Sequence, residues 1–235
     1  MRTLGKTRLF LAIGALWAGS VVPLSAQTVI YSNTNTDLAT RLNTGTYEAG
    51  NEILLAGTAR YLTYFSFEYW GTASSSSFSA PITATLTFYQ MNGPLVSGYP
   101  SPGTSFFSES FSVPGPTPRS TFIFTPASDF PGGQPLFIPT SDMTWSIQFS
   151  GMGATDAVGV DIYGPPTVGQ AYGDYWQNDG TVLSPSWVLL TNTVPMDFAA
   201  QMYANQNIPE PSVLVLSLAG GLGILTLVRR LRRRE

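Results

Sequence analysis

The chain has 235 residues, 43% hydrophobic and only 11% charged, with no cysteine and no histidine. Those two absences exclude disulfides, thiol nucleophiles, histidine-based triads and Cys/His zinc sites. The formal charge of -3 hides an asymmetry, because residues 27–207 set three arginines against twelve acids; such a body repels phosphates and argues against nucleic acid as a partner.

The first element is an address. In "MRTLGKTRLF LAIGALWAGS VVPLSAQT", Arg2, Lys6 and Arg8 precede an apolar run over residues 9–22, and Pro23 ends it. Ser25 and Ala26 supply small residues, so residues 1–26 read as a secretory signal peptide cut between Ala26 and Gln27. An uncleaved anchor is the alternative, but the run is short for a span.

Residues 27–207 read as strand and turn. "PITATLTFYQ" puts Ile82, Ala84, Leu86 and Phe88 on one face and Thr83, Thr85, Thr87 and Tyr89 on the other. "MTWSIQFS" does the same with Trp145, Ile147 and Phe149. "FSFEYW" alternates Phe65, Phe67 and Tyr69 with Ser66 and Glu68, and "DFAAQMY" aligns Phe198, Ala200 and Met202. Shorter strands are expected over 29–32, 53–56, 106–113, 120–125, 158–163 and 187–191, about ten in all. Breaks such as "VPGPTPRS" and "DFPGGQP" are rich in turn formers, and no helical period interrupts them. The expected fold is all-β: an antiparallel β-sandwich, jelly-roll-like, with Thr and Ser outward.

Chemistry in this body has to rest on carboxylates. Glu48, Glu52, Glu68, Glu109, Asp156, Asp161, Asp174 and Asp179 are available, but no pair sits in a motif that a glycosidase would need. Glu68 alternates with core aromatics and is expected to face solvent. "YGDYWQNDGT" is expected as a loop. Its Asp174, Asn178 and Asp179 offer hard oxygens to calcium, although Trp176 stands where an EF-hand has a ligand. A turn at Asn178, Asp179 and Gly180 explains the same residues. Tyr172, Tyr175 and Trp176 offer rings that stack on sugars, against the alternative that they fill the core. No cofactor is expected.

The chain ends "IPEPSVLVLSLAGGLGILTLVRRLRRRE". Residues 212–228 carry no charge; as a helix they measure about 26 Å, enough to cross a core of about 30 Å when flanking arginines snorkel. Arg229, Arg230, Arg232, Arg233 and Arg234 then fix the C-terminus in the cytoplasm, with the body outside. Ala219 and Gly223 make a small-xxx-small spacing within the span. A plain anchor needs no Pro209-Glu210-Pro211. Two prolines keep that stretch extended and exposed.

These three parts, in this order and opposite a signal peptide, resemble the PEP-CTERM sorting family over roughly residues 208–234. The resemblance implies export by a Gram-negative bacterium through the general secretion machinery. It implies that a membrane-embedded exosortase recognises Pro209, Glu210 and Pro211, cuts near them and passes the protein on, and it implies an association with exopolysaccharide, biofilm and the cell surface. The body, with its "TWSIQFSG" strand and "YWQNDG" loop, more loosely resembles globular domains found ahead of such tails, which implies no activity. The expectation is therefore a non-enzymatic protein held first in the inner membrane, then sorted to the surface. A carbohydrate-binding module on the same delivery system and a carboxylate glycosidase are the alternatives.

Overall fold

The computed structural model describes residues 27–180, 186–191 and 195–206. The signal peptide through Ala26, the Pro209-Glu210-Pro211 motif, the span 212–228 and the five arginines lie outside the described residues. Within them, no helix is long and apolar enough to cross a membrane.

The described chain is antiparallel β-structure with one 3-10 turn at Pro131–Gly133. The first strands are β1 (Thr28–Asn33), β2 (Asp37–Asn43), β3 (Glu48–Leu54), β4 (Tyr61–Thr72), β5 (Thr83–Gln90), β6 (Leu95–Val96), β7 (Tyr99–Pro100), β8 (Ser105–Ser112) and β9 (Thr117–Phe124). Then follow β10 (Leu136–Phe137), β11 (Asp142–Ser150), β12 (Ala157–Tyr163), β13 (Gln170–Ala171), β14 (Asp174–Asn178), β15 (Trp187–Thr191), β16 (Asp197–Phe198) and β17 (Ala200–Asn205). One sheet runs β1-β17-β4-β12-β16, with β9 and β10 also on β4 and β2 also on β12. The other runs β15-β14-β3-β11-β5-β8, with β13 on β3. We call them the first and second sheets. A small β6–β7 hairpin is hydrogen-bonded to neither.

Alternation explains the core. Ile82, Ala84, Leu86 and Phe88 of β5 and its approach are buried, as are Trp145, Ile147 and Phe149 of β11. They face Phe65 and Phe67 of β4, with the Phe65 ring 5.1 Å from Phe88 and 5.4 Å from Trp145. Edge-on and tilted ring contacts of this kind add to area burial. This aromatic layer joins the two sheets into a sandwich-like body.

All ten expected strands have counterparts, but the structure corrects several details. The 53–56 strand begins earlier, at Glu48. The strand read through "DFAAQMY" is two strands. β16 pairs with β12, whereas β17 lies between β1 and β4. Ala199 bridges the break, since Glu68 N donates to its carbonyl and its own N donates to Asp161 O. The outward polar rows are not uniformly wet. Thr144 and Ser146 are fully buried, because Tyr89, Trp176 and Trp187 form a second apolar cluster on the outer face of the second sheet. Met91 belongs to that cover, and its sulfur accepts from Thr144 Oγ1.

Candidate functional site

The loop expected over "YGDYWQNDGT" is strand β14. Its register sets Trp176 opposite Gly50 and Asn178 opposite Glu48 of β3. Trp176 is fully buried and Tyr175 is 8% exposed, so neither ring is open to a sugar. Tyr175 joins the main core and Trp176 the outer cluster. Tyr172 differs: it is 52% exposed on the turn before β14, where Gly173 takes a left-handed φ of 73°.

The calcium reading fails on the same strand. Asp174 and Asn178 are four residues apart in extended chain, about 13 Å at ~3.3 Å per residue, too far to share one ion. Asn178 is engaged elsewhere: its Nδ2 donates to Glu48 Oε2 at 2.9 Å, and its Oδ1 accepts from Gly180 N at 3.0 Å. Asp179 accepts from Gln177 Nε2 at 2.8 Å. The turn expected after Asn178 is thus an Asn-capped one. Among the described residues no group of three acidic side chains is placed to hold a metal.

What the structure does gather around Tyr172 is an acidic corner. Glu52 of β3, Asp142 of β11 and Asp174 of β14 stand on adjacent strands of the second sheet, with Asp142 two residues along from Thr144, the partner of Glu52. Trp176 Nε1 donates to Glu52 Oε2 at 2.9 Å. Burial pushes the Glu52 carboxyl up to about 7, against the Trp176 hydrogen bond and with help from Asp142 and Asp174. Burial raises Asp142 and Asp174 as well. Each keeps one buried oxygen without a hydrogen-bond partner among the described residues. The Tyr172 hydroxyl is raised by burial and then by these three carboxyls. The ring of Tyr172 is the part of this corner open to a ligand, because the two unpartnered carboxyl oxygens are buried. The sequence reading included Glu52 and Asp174 but missed Asp142, which no local motif distinguishes.

Three of the other acids are tied into the fold. Glu68 was expected to face solvent, but its side chain is only 17% exposed because it accepts from Tyr163 Oη at 2.6 Å and lies 3.4 Å from Arg119 Nε. Fully buried Asp161 meets Arg41 Nε at 2.5 Å and Arg119 Nε at 3.6 Å, and both arginines also pair with Asp37. Asp156 ties a loop by accepting from Ser79 Oγ at 2.6 Å and Gly153 N at 3.0 Å. Glu109 sits on β8, opposite Leu86.

A third feature is a cavity of about 80 Å³ on the outer face of the second sheet. Glu48 of β3, Thr85, Thr87 and Tyr89 of β5, Ser108 of β8 and Gln148 of β11 line it. Glu48 was one of eight equivalent acids in the sequence, and only the register of β3, β5 and β14 singles it out.

Comparison with protein-family models, curated proteins and solved structures returned no match.

Proposed function

We propose that this chain is an exported, non-enzymatic protein of the cell surface or exopolysaccharide matrix, delivered through its C-terminal tail. One observation carries the reading: Pro209-Glu210-Pro211, the charge-free stretch 212–228 and five arginines follow one another at the end of a chain that opens with a secretory pattern. The signal peptide carries the body across the inner membrane, the span holds it there with the C-terminus cytoplasmic, and an exosortase-type enzyme reads the extended motif. A body of two antiparallel sheets, low in charge, suits a binding or structural role outside the cell. Repeated passage of the chain between the sheets supports reading it as jelly-roll-like.

The test is the intact mass and fractionation of the mature protein in its native host. Loss of the residues from near Pro209 onward, with recovery in the outer surface or matrix fraction, is expected. A full-length tail retained in the inner membrane, unchanged when Pro209, Glu210 and Pro211 become alanine, would reduce the ending to an anchor.

The Tyr172 corner favours a second reading for the body, glycan contact. Tyr172→Ala should then abolish retention on the host's own polysaccharide. No binding by the unaltered protein at millimolar sugar removes this reading. Turnover of a glycan that vanishes in Glu52→Gln would instead make the body a carboxylate glycosidase, with Glu52 as its acid.

A further inference from the structure

Glu48 is a buried carboxyl with no cation beside it among the described residues. It is 5% exposed. Three neutral donors hold it: Tyr89 Oη at 2.9 Å and Ser146 Oγ at 2.5 Å on Oε1, and Asn178 Nδ2 at 2.9 Å on Oε2. The described residues include three cations, all engaged elsewhere. Arg41 and Arg119 pair with Asp37 and Asp161, and Arg60 donates to Ala59 O at 2.7 Å and Gly57 O at 3.0 Å. A carboxylate has about four acceptor positions, so the donors among the described residues leave one on the group that lines the 80 Å³ cavity.

The cavity walls are mainly carbon, and the Tyr89 ring forms one of them. Trp187 packs edge-on against that ring at 5.4 Å and holds it in place. At the rim, Thr87 Oγ1 and Ser108 Oγ lie 3.2 Å apart, and each hydroxyl oxygen has a second lone pair. We propose that this cavity binds a primary ammonium group carried on a short carbon stem.

The chemistry selects that class. An ammonium brings the missing countercharge and a donor for the free position on Glu48. Its other N–H bonds reach the rim hydroxyls, its stem lies along carbon, and an aromatic face beside a cation is attractive. A calcium ion wants six or more oxygens and usually several carboxylates, which do not converge here among the described residues. A neutral hydroxyl supplies no charge. This site lies apart from Tyr172, and it is independent of how the chain reaches the surface.

The experiment is saturation-transfer NMR on the full-length chain in detergent, with n-butylammonium and its neutral analogue 1-butanol as probes. The expected result is transfer to butylammonium, at least tenfold weaker transfer to butanol, and a tenfold loss of the ammonium signal in Glu48→Gln. Because Glu48→Gln turns one acceptor into a donor among three donors, that variant risks misfolding. Ser108→Phe, at an exposed rim position, removes the Thr87 hydroxyl contact but leaves the three hydrogen bonds on Glu48 intact, closes the cavity and should give the same loss. Equal transfer from both probes, no transfer at all, or full ammonium binding in Ser108→Phe would each overturn the proposal.

Discussion

Raising the pH from about 5 to about 8 should weaken the fold, and Glu52 should account for a measurable share of the loss. Its folded pKa of about 7 stands above the ordinary 4.5 because burial disfavours the carboxylate. The folded state therefore holds this proton more tightly than the unfolded chain does. That contribution is fully present below about 4.5 and disappears as the pH rises through about 7. At about 1.4 kcal/mol per tenfold change in proton affinity the ceiling is about 3 kcal/mol. Water still reaches the group, and screening brings the expected figure to about 1 kcal/mol. Glu52→Gln removes this titration together with its coupling to Asp142 and Asp174, while the amide oxygen still accepts from Trp176 Nε1. Asp161 and Asp197, both raised to about 6 by burial, titrate in both proteins and cancel in the comparison. The assay is urea unfolding of each protein across that pH range, followed by tryptophan fluorescence. The unaltered protein should lose about 0.5 M more in midpoint than the variant, at about 2 kcal/mol per molar urea. Parallel midpoint curves would show that Glu52 is no more strained as an anion in the fold than in the unfolded chain.

Arg41→Met should cost about 3 kcal/mol by leaving Asp161 buried and unpaired on that side; adding Asp161→Asn should recover more than half, read as thermal midpoints. Gly50→Ala should cost about 1–3 kcal/mol, because its new Cβ would lie 2.6 Å from Thr144 Cγ2 and 3.3 Å from Ser146 Cβ. Thr144→Ser removes that methyl and should restore most of the urea midpoint, a rescue that a general effect of alanine in a strand would not produce.

The fold was legible where polar and apolar letters alternate. β5 shows this: Thr83, Thr85 and Thr87 alternate with buried Ala84, Leu86 and Phe88, so period two stands out although only the start of its outer face is wet. It was illegible where both covered faces carry apolar side chains. In β14, Tyr175 enters the main core and Trp176 the outer cluster, so no alternation survives, and the surrounding Gly, Asp and Asn read as a turn. β2 escaped for another reason. "DLATRLN" carries Asp37 and Arg41, whose partners lie far along the chain at Arg119 and Asp161. The same distance hid the candidate sites. Glu52, Asp142 and Asp174 meet only through the order of β11, β3 and β14, and Glu48 differs from other acids only in the side chains that fold over it.

The place of β17 has a mechanical consequence. This last described strand is hydrogen-bonded along both edges, to β1 on one side and β4 on the other. A pull transmitted through the chain beyond Asn205 must slide β17 past two neighbours together, loading both ladders in shear instead of peeling one pair at a time. A body built this way resists extraction by its C-terminal end better than it would with β17 at the margin of the sheet.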